Sequence, residues 1–358
     1  MPYLLVITLI ASAIIGYIVS RMSRILALRY QLTDNPLSHP DRKSQKQPVP
    51  LFGGLGFFVV VIMALIGLWL EVKFNWFGYS EYLHQGFFYP FKLIYILIGG
   101  LIIYLAGCLD DAFELSPKIY FPMIFVGLLI AIVVGGVKIE NFSYPFDKLV
   151  ISDWLQYSLA FGWVGICLVA TKFLDGLDGL VTSVGIINLL TIAGVALSLS
   201  VNQPFIALVS IAGAGALIGF LPSNFPSARQ YLGEGGSTII GYFIGIFSLL
   251  AGAKVATIGI TLGWFVLDIL LVMFFRFLQS GTLGSLLKGD RTHWHHRLLD
   301  YGFSKIQVLA ITAWLIITSS QIALNVPTAY KIWVLLGQYL VFCGLFLVTY
   351  RGKVSKQG

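Results

Sequence analysis

The chain has 358 residues, 58% of them hydrophobic and only 11% charged. Soluble domains carry about 25% charged residues, so a mean hydropathy of +0.87 over the whole length excludes both a soluble globular protein and a disordered one. The net charge of +7 suits basic loops beside anionic lipid or an anionic substrate and requires no nucleic acid.

A membrane-crossing helix needs about 20 apolar residues. On that basis the sequence predicts an all-α, polytopic integral membrane protein with ten or eleven transmembrane helices. The eleven candidate spans are 3–20, 51–70, 91–109, 119–137, 156–171, 180–199, 205–221, 237–253, 255–277, 306–324 and 330–350. The first is read as a retained helix, because it has no small-residue cleavage site and further spans follow. Residues 1–358 are read as one membrane domain, with no separate soluble domain and no internal repeat. Cys108, Cys167 and Cys343 lie in apolar stretches and form no CxxC pair, so neither a disulfide framework nor a zinc site is expected.

Lys and Arg set the orientation. With eleven spans, alternate loops hold 17 of the 23 basic residues, among them Arg21, Arg24, Arg29, Lys118, Lys172, Arg276, Arg297 and Lys305. The remaining loops hold Lys73, Lys92, Lys138, Lys148, Lys254 and Lys331. The first set is therefore expected in the cytoplasm and the N-terminus outside. Five carboxylates, Asp110, Asp111, Asp175, Asp178 and Glu234, then fall at cytoplasmic span ends, whereas the external acids are scattered.

Four segments on that side carry chemistry. Asp110-Asp111 follow an apolar helix; adjacent carboxylates at a membrane edge need water or a cation, so they read as a metal and phosphate site or as a hydrated helix end. FLDGLDGL sets Asp175 and Asp178 three apart, on one face if helical, for metal or phosphate positioning, or else as a polar turn. The loop SNFPSARQYLGEGGS leads into a helix whose Gly233, Gly235, Gly236 and Ser237 offer N–H groups to an anion, with Glu234 facing a cation; the alternative is a tight interhelical turn. GDRTHWHHRL sets His293, His295 and His296 among arginines, which favours phosphate or sugar contact over metal, the alternative being a solvated loop. Asp268, inside an apolar span, reads as functional or as an interhelical hydrogen-bonding group, and stays outside the candidate site.

Taken in order, from about Asp34 to about Gln307, these motifs resemble the polyprenyl-phosphate N-acetylhexosamine-1-phosphate transferases, bacterial membrane enzymes of glycosyltransferase family 4 with ten or eleven helices. The matching residues are DNP from Asp34, Arg42-Lys43, Pro48, Pro50 and Gly53-Gly54, Asp110-Asp111, Asp175 to Leu180, NFPSA from Asn224, Gly233, Gly236, Ser237, and HWHHRL from His293. Trp294 and Arg297 resemble the branch that takes a UDP-N-acetylhexosamine, such as UDP-N-acetylglucosamine, rather than UDP-N-acetylmuramoyl-pentapeptide. The chain also departs from the pattern. Glu234 stands where the family has Asp, Lys172 where it has Asn, and Tyr120 and Ile124 where it has Lys and Gln.

The resemblance implies attack by undecaprenyl phosphate on the β-phosphorus of a UDP-sugar, release of UMP, and the start of a cell-envelope glycan such as lipopolysaccharide, teichoic acid or peptidoglycan. It implies Asp110, Asp111, Asp175 and Asp178 as catalytic residues, and Arg42, Lys43, Lys118, Lys172, Asn224, His293, His295, His296 and Arg297 as substrate contacts. Asp111 and Glu234 would hold magnesium, with manganese as a substitute. Partners would be the UDP-sugar, the polyprenyl phosphate, the bilayer and, as in relatives, a second copy in a homodimer. The location would be the bacterial inner membrane, with a cytoplasmic active site. The alternatives are phospho-N-acetylmuramoyl-pentapeptide transfer and, in another class, a non-catalytic membrane scaffold or a lipid-phosphate transporter.

Overall fold

Backbone groups in lipid must be satisfied within the segment that spans it, and the apolar runs accordingly fold as helices. The computed structural model describes residues 2–35, 47–83, 90–139, 152–199, 201–251, 255–280 and 292–354. The order is α1 (Pro2–Arg29), the two-residue strands β1 (Thr33–Asp34) and β2 (Val49–Pro50), α2 (Gly54–Phe74), α3 (Ser80–Leu83), α4 (Pro90–Phe113) and α5 (Pro117–Leu129), which runs on as a π-helix over Ile130–Val134. Then follow α6 (Asp153–Leu174), α7 (Leu180–Ala196), α8 (Pro204–Asn224), α9 (Gly233–Leu250), α10 (Val255–Ser280), the short α11 (Trp294–Asp300), α12 (Lys305–Asn325) and α13 (Thr328–Val354).

Among the described residues ten helices are long and apolar enough to cross a membrane, with α7 a shorter apolar helix beside them, in line with the ten or eleven expected. The predicted span 180–199 falls on α7, whose 17 residues reach about 26 Å at 1.5 Å per residue, at the short end of what crosses a bilayer. Gly179 at its start is bonded to Asn224 at the end of α8, so the two helices run back and forth between the same two ends of the bundle. The face of α7 is largely buried among other helices, so it does not depend on lipid to cover it. The spans at 156–171 and 237–253 are full helices, α6 and α9.

The centre is formed by α8 and α9, whose apolar windows are 89% and 83% buried, against 17% for α1 and 22% for α13. Small residues permit this density. Ser12, Gly16, Ser20, Ser23 and Ala27 form the buried face of α1, and a Cβ on Gly16 would stand 2.7 Å from the Cα of Ala216 in α8. Polar pairs fasten the other side. Thr191 lies 2.8 Å from Ser320, the Thr261 hydroxyl donates to Asn188, and Trp264 Nε1 and Gln338 Nε2 both donate to Ser319 Oγ.

At one end of the bundle the start of α9 is clamped by the chain entering α2. Gly53 N donates to Tyr231 O and Tyr231 N to Pro50 O, each at 2.9 Å, while buried Gln230 reaches Ser23 Oγ at 3.0 Å. Gly54 and Gly236 meet backbone to backbone, leaving no room for a side chain on either.

Candidate functional site

The C-terminal turn of α4 lies against the first turn of α9, because Gly107 and Gly235 let the two backbones touch. This contact delivers Asp111. One carboxylate oxygen accepts the N–H of Glu234 at 2.9 Å, and the other that of Gly235 at 3.4 Å. The anion at this glycine-rich helix start therefore comes from the chain itself, and it meets the positive end of the helix dipole. Gly233 makes the arrangement possible: its φ is +76°, and a Cβ there would lie 2.5 Å from Asp111 Oδ2.

Glu234, the next residue, turns its side chain towards α5 and α6. Its Oε1 pairs with Lys172 Nζ at 2.5 Å and accepts a hydrogen bond from the Tyr120 hydroxyl at 2.6 Å. The Lys172 ammonium also sits over the Tyr120 ring, 4.2 Å from its centroid. Two positions that depart from the family pattern thus form one unit with a third. Asp110, half-buried, is near enough to feel the charges of Glu234 and Lys172. Lys118 is exposed at the start of α5.

Asp175 and Asp178 do not share a helix face. Asp175 caps the C-terminus of α6, and the chain turns through Gly179, at φ +78°, into α7. Asp178 is engaged by Lys305 of α12 at 2.9 Å and by Ala228 N at 3.4 Å. Asn224 is buried, and its amide accepts from Gly179 N and from the Thr182 hydroxyl and donates to Gln230 O. It therefore holds the turn against the loop that precedes α9.

Asp175 opens onto free space, yet protein crowds round it. That loss of bulk water, followed by the charges of Glu234 and Asp111, pushes its carboxyl well above the ordinary value, against a smaller opposing effect of Ser237. A cluster of carboxylates that raise one another in this way favours a cation or a proton.

The histidines close the site from α11. A Cβ on Gly176 would stand 3.0 Å from His296 Nε2 and 3.1 Å from His295 Nε2, so both rings lie against the aspartate turn. His293 packs on Phe173, with centroids 5.3 Å apart, and on His295 at 5.9 Å. Burial, then the neighbouring His296 and His293, push His295 well below its ordinary value and keep it neutral. The Nε2 atoms of His293 and His295 are buried with no hydrogen-bond partner among the described residues.

Asp268 organises this segment. Its carboxylate lies 2.8 Å from His293 Nδ1 and accepts Trp294 N at 2.9 Å, and all three residues are buried. Its signal in the sequence is that of a lone acid within an apolar span. Lys305 carried no such signal. Arg297, expected on the diphosphate, is buried: its Nε donates to Thr292 O at 2.7 Å, and its guanidinium stacks 3.8 Å above Phe346 of α13. It braces the loop and α13. Arg42 and Lys43 lie outside the described residues.

A multi-span helical bundle that gathers carboxylates, a lysine pair and histidines from distant segments at one end is a membrane enzyme suited to anionic substrates. Comparison with known proteins agrees. The profile of glycosyl transferase family 4 matches residues 93–252, from α4 through α9. A probable undecaprenyl-phosphate N-acetylglucosaminyl 1-phosphate transferase of Bacillus subtilis (strain 168) is 30% identical over 315 residues, covering 86% of this chain and 81% of that protein. A decaprenyl-phosphate N-acetylglucosaminephosphotransferase of Mycolicibacterium smegmatis is 27% identical, with 85% and 78% covered. An undecaprenyl-phosphate alpha-N-acetylglucosaminyl 1-phosphate transferase of Salmonella typhi is 26% identical, with 81% and 75% covered. The chain belongs to glycosyl transferase family 4.

Proposed function

We propose that this protein transfers N-acetylglucosamine 1-phosphate from UDP-N-acetylglucosamine to a polyprenyl phosphate in the bacterial inner membrane, releasing UMP and leaving a lipid-linked diphosphosugar. The observation that carries the reading is the joining of Asp111 to the Glu234–Gly235 backbone beside Asp175 and the histidines, a site for phosphates where helix ends meet. The relatives' names support the sugar and the lipid. Because Arg297 is turned into α13, the choice of sugar rests on those relatives and not on an arginine contact. The bias of Lys and Arg towards one set of loops supports a cytoplasmic position for this end of the bundle, with the N-terminus outside.

An oxygen of the polyprenyl phosphate forms the new bond to the β-phosphorus, and the bond from that phosphorus to the α-phosphate oxygen breaks, with UMP taking the electron pair. A phosphate monoester has a second pKa near about 6, so the attacking group is largely dianionic at neutral pH and little proton removal is needed. Asp110 is the nearby base for what remains. His295 and His293, each with a buried Nε2 that has no partner among the described residues, are the candidate contacts for donor oxygens, and Asp268 fixes the ring of His293.

The donor set suits magnesium. Asp111 and Glu234 supply hard oxygens, magnesium needs only one or two carboxylates besides substrate phosphates, and the Lys172 ammonium already stands where Glu234 attracts positive charge. Among the described residues no larger set of metal-ligating side chains competes with this one. When bound, the metal would neutralise phosphate oxygens as charge builds on them.

The test is UMP release by purified protein given undecaprenyl phosphate, magnesium and one of two donors. Release with UDP-N-acetylglucosamine is expected. Release only with UDP-N-acetylmuramoyl-pentapeptide would reassign the donor, and silence with both from folded protein would refute the reading.

A further inference from the structure

We infer that Lys172 is a resident counter-cation that competes with the divalent metal for Glu234, so that loading the site requires its ammonium to leave. The inference rests on the reading of Asp111 and Glu234 as the metal site.

Three contacts argue for it. Lys172 Nζ touches Glu234 Oε1 at 2.5 Å. The same oxygen takes the Tyr120 hydroxyl at 2.6 Å. The Tyr120 ring lies beneath the ammonium at 4.2 Å and holds it by the attraction of a cation for an aromatic face. One carboxylate oxygen thus has two donors, and neither donor can ligate a metal, because an ammonium has no lone pair and a neutral phenol is a weak ligand. The lysine is not locked in place: its side chain is 36% exposed, and its four-carbon stem can swing towards the phosphates that arrive with substrate. Glu234 is the longer acid and reaches Lys172 and Tyr120 from a backbone that Asp111 fixes. Ammonium and metal then alternate on one carboxylate, and the displaced lysine becomes free to meet an anionic substrate.

The consequence is weak divalent binding in the substrate-free protein. An opposite charge in direct contact attracts the carboxylate more strongly where water is excluded, so removing it should tighten metal binding about tenfold or more. The experiment is manganese binding to the full-length protein in detergent, followed by the electron paramagnetic resonance of free manganese, with no donor or lipid present. Lys172→Met should bind at least about tenfold more tightly than the unaltered protein. Lys172→Arg, which keeps the charge, should stay close to the unaltered protein, and Tyr120→Phe should fall between. Glu234→Gln should lose the tight binding in either background.

Equal or weaker binding by Lys172→Met overturns the inference, as does a failure of both forms to take up manganese. If Lys172→Met fails to fold, Tyr120→Phe decides, and no tightening there overturns it. UMP release is scored separately. Tightening without transfer by the unaltered protein would sink the functional reading and leave the lysine's role standing, whereas transfer without tightening would do the reverse.

Discussion

Replacing Gly233 with alanine tests how Asp111 and Glu234 are joined. Gly233 has φ +76°, a left-handed conformation that costs a residue with a Cβ about 1–2 kcal/mol. The new methyl would stand 2.5 Å from Asp111 Oδ2, well inside van der Waals contact, so the carboxylate must retreat. In retreating it gives up the bond from Glu234 N at 2.9 Å and the longer one from Gly235 N. Hydrogen bonds to a charged group contribute about 1.5–3 kcal/mol each; counting the long one as weak, the total is about 3–5 kcal/mol. For a chain of this size the midpoint of thermal unfolding should fall by about 4–7 °C. Turnover should fall about a hundredfold, because the two carboxylates no longer keep their spacing. The assays are thermal unfolding in detergent and UMP release. Gly67→Ala is the control, since nothing lies within 4 Å of its new Cβ. A Gly233→Ala protein with the unfolding midpoint and turnover of that control would refute the capping geometry.

Asp268→Asn keeps the shape of the carboxyl but weakens its hold on His293 and Trp294; turnover should fall about tenfold to a hundredfold, and an unchanged KM and kcat for the donor would contradict the positioning role. His295 also makes stability depend on pH. Its folded pKa is lowered, so the unfolded chain binds the extra proton first, and stability is full above the ordinary histidine value near about 6.5 and is lost as pH falls below it. The unfolding midpoint should drop between about pH 7 and pH 5, and His295→Gln should flatten that slope; an identical slope in the variant would assign the loss to other groups.

The helices were legible because apolar length is written directly in the sequence. The run at α7 is the shortest of the apolar spans, 17 residues that lie largely among neighbouring helices. The convergence of Asp111, Asp175, Glu234 and the histidines followed from which loops share a side. What each side chain does there was less legible. Asp175 and Asp178 read as one helix face, but Gly179 turns the chain between α6 and α7. Arg297 read as a phosphate ligand from its neighbours, and only the arrival of Phe346 from α13 shows where its guanidinium goes. Lys172 and Tyr120 stood out as unusual residues, and their pairing with Glu234 depends on α5, α6 and α9 meeting in space.

Phosphoryl transfer at the site built around Asp111 and Glu234 is tested most directly with UDP-N-acetylglucosamine labelled with 32P at the β-phosphorus. Given to the purified protein with undecaprenyl phosphate and magnesium, it should send the label into the lipid fraction together with the sugar, in equal amounts. Asp111→Asn and Glu234→Gln proteins that still fold should send none. Label left in water-soluble UDP while sugar alone reaches the lipid would mean attack at the sugar carbon, and full transfer by both variants would remove those carboxylates from the chemistry; either result would contradict the account.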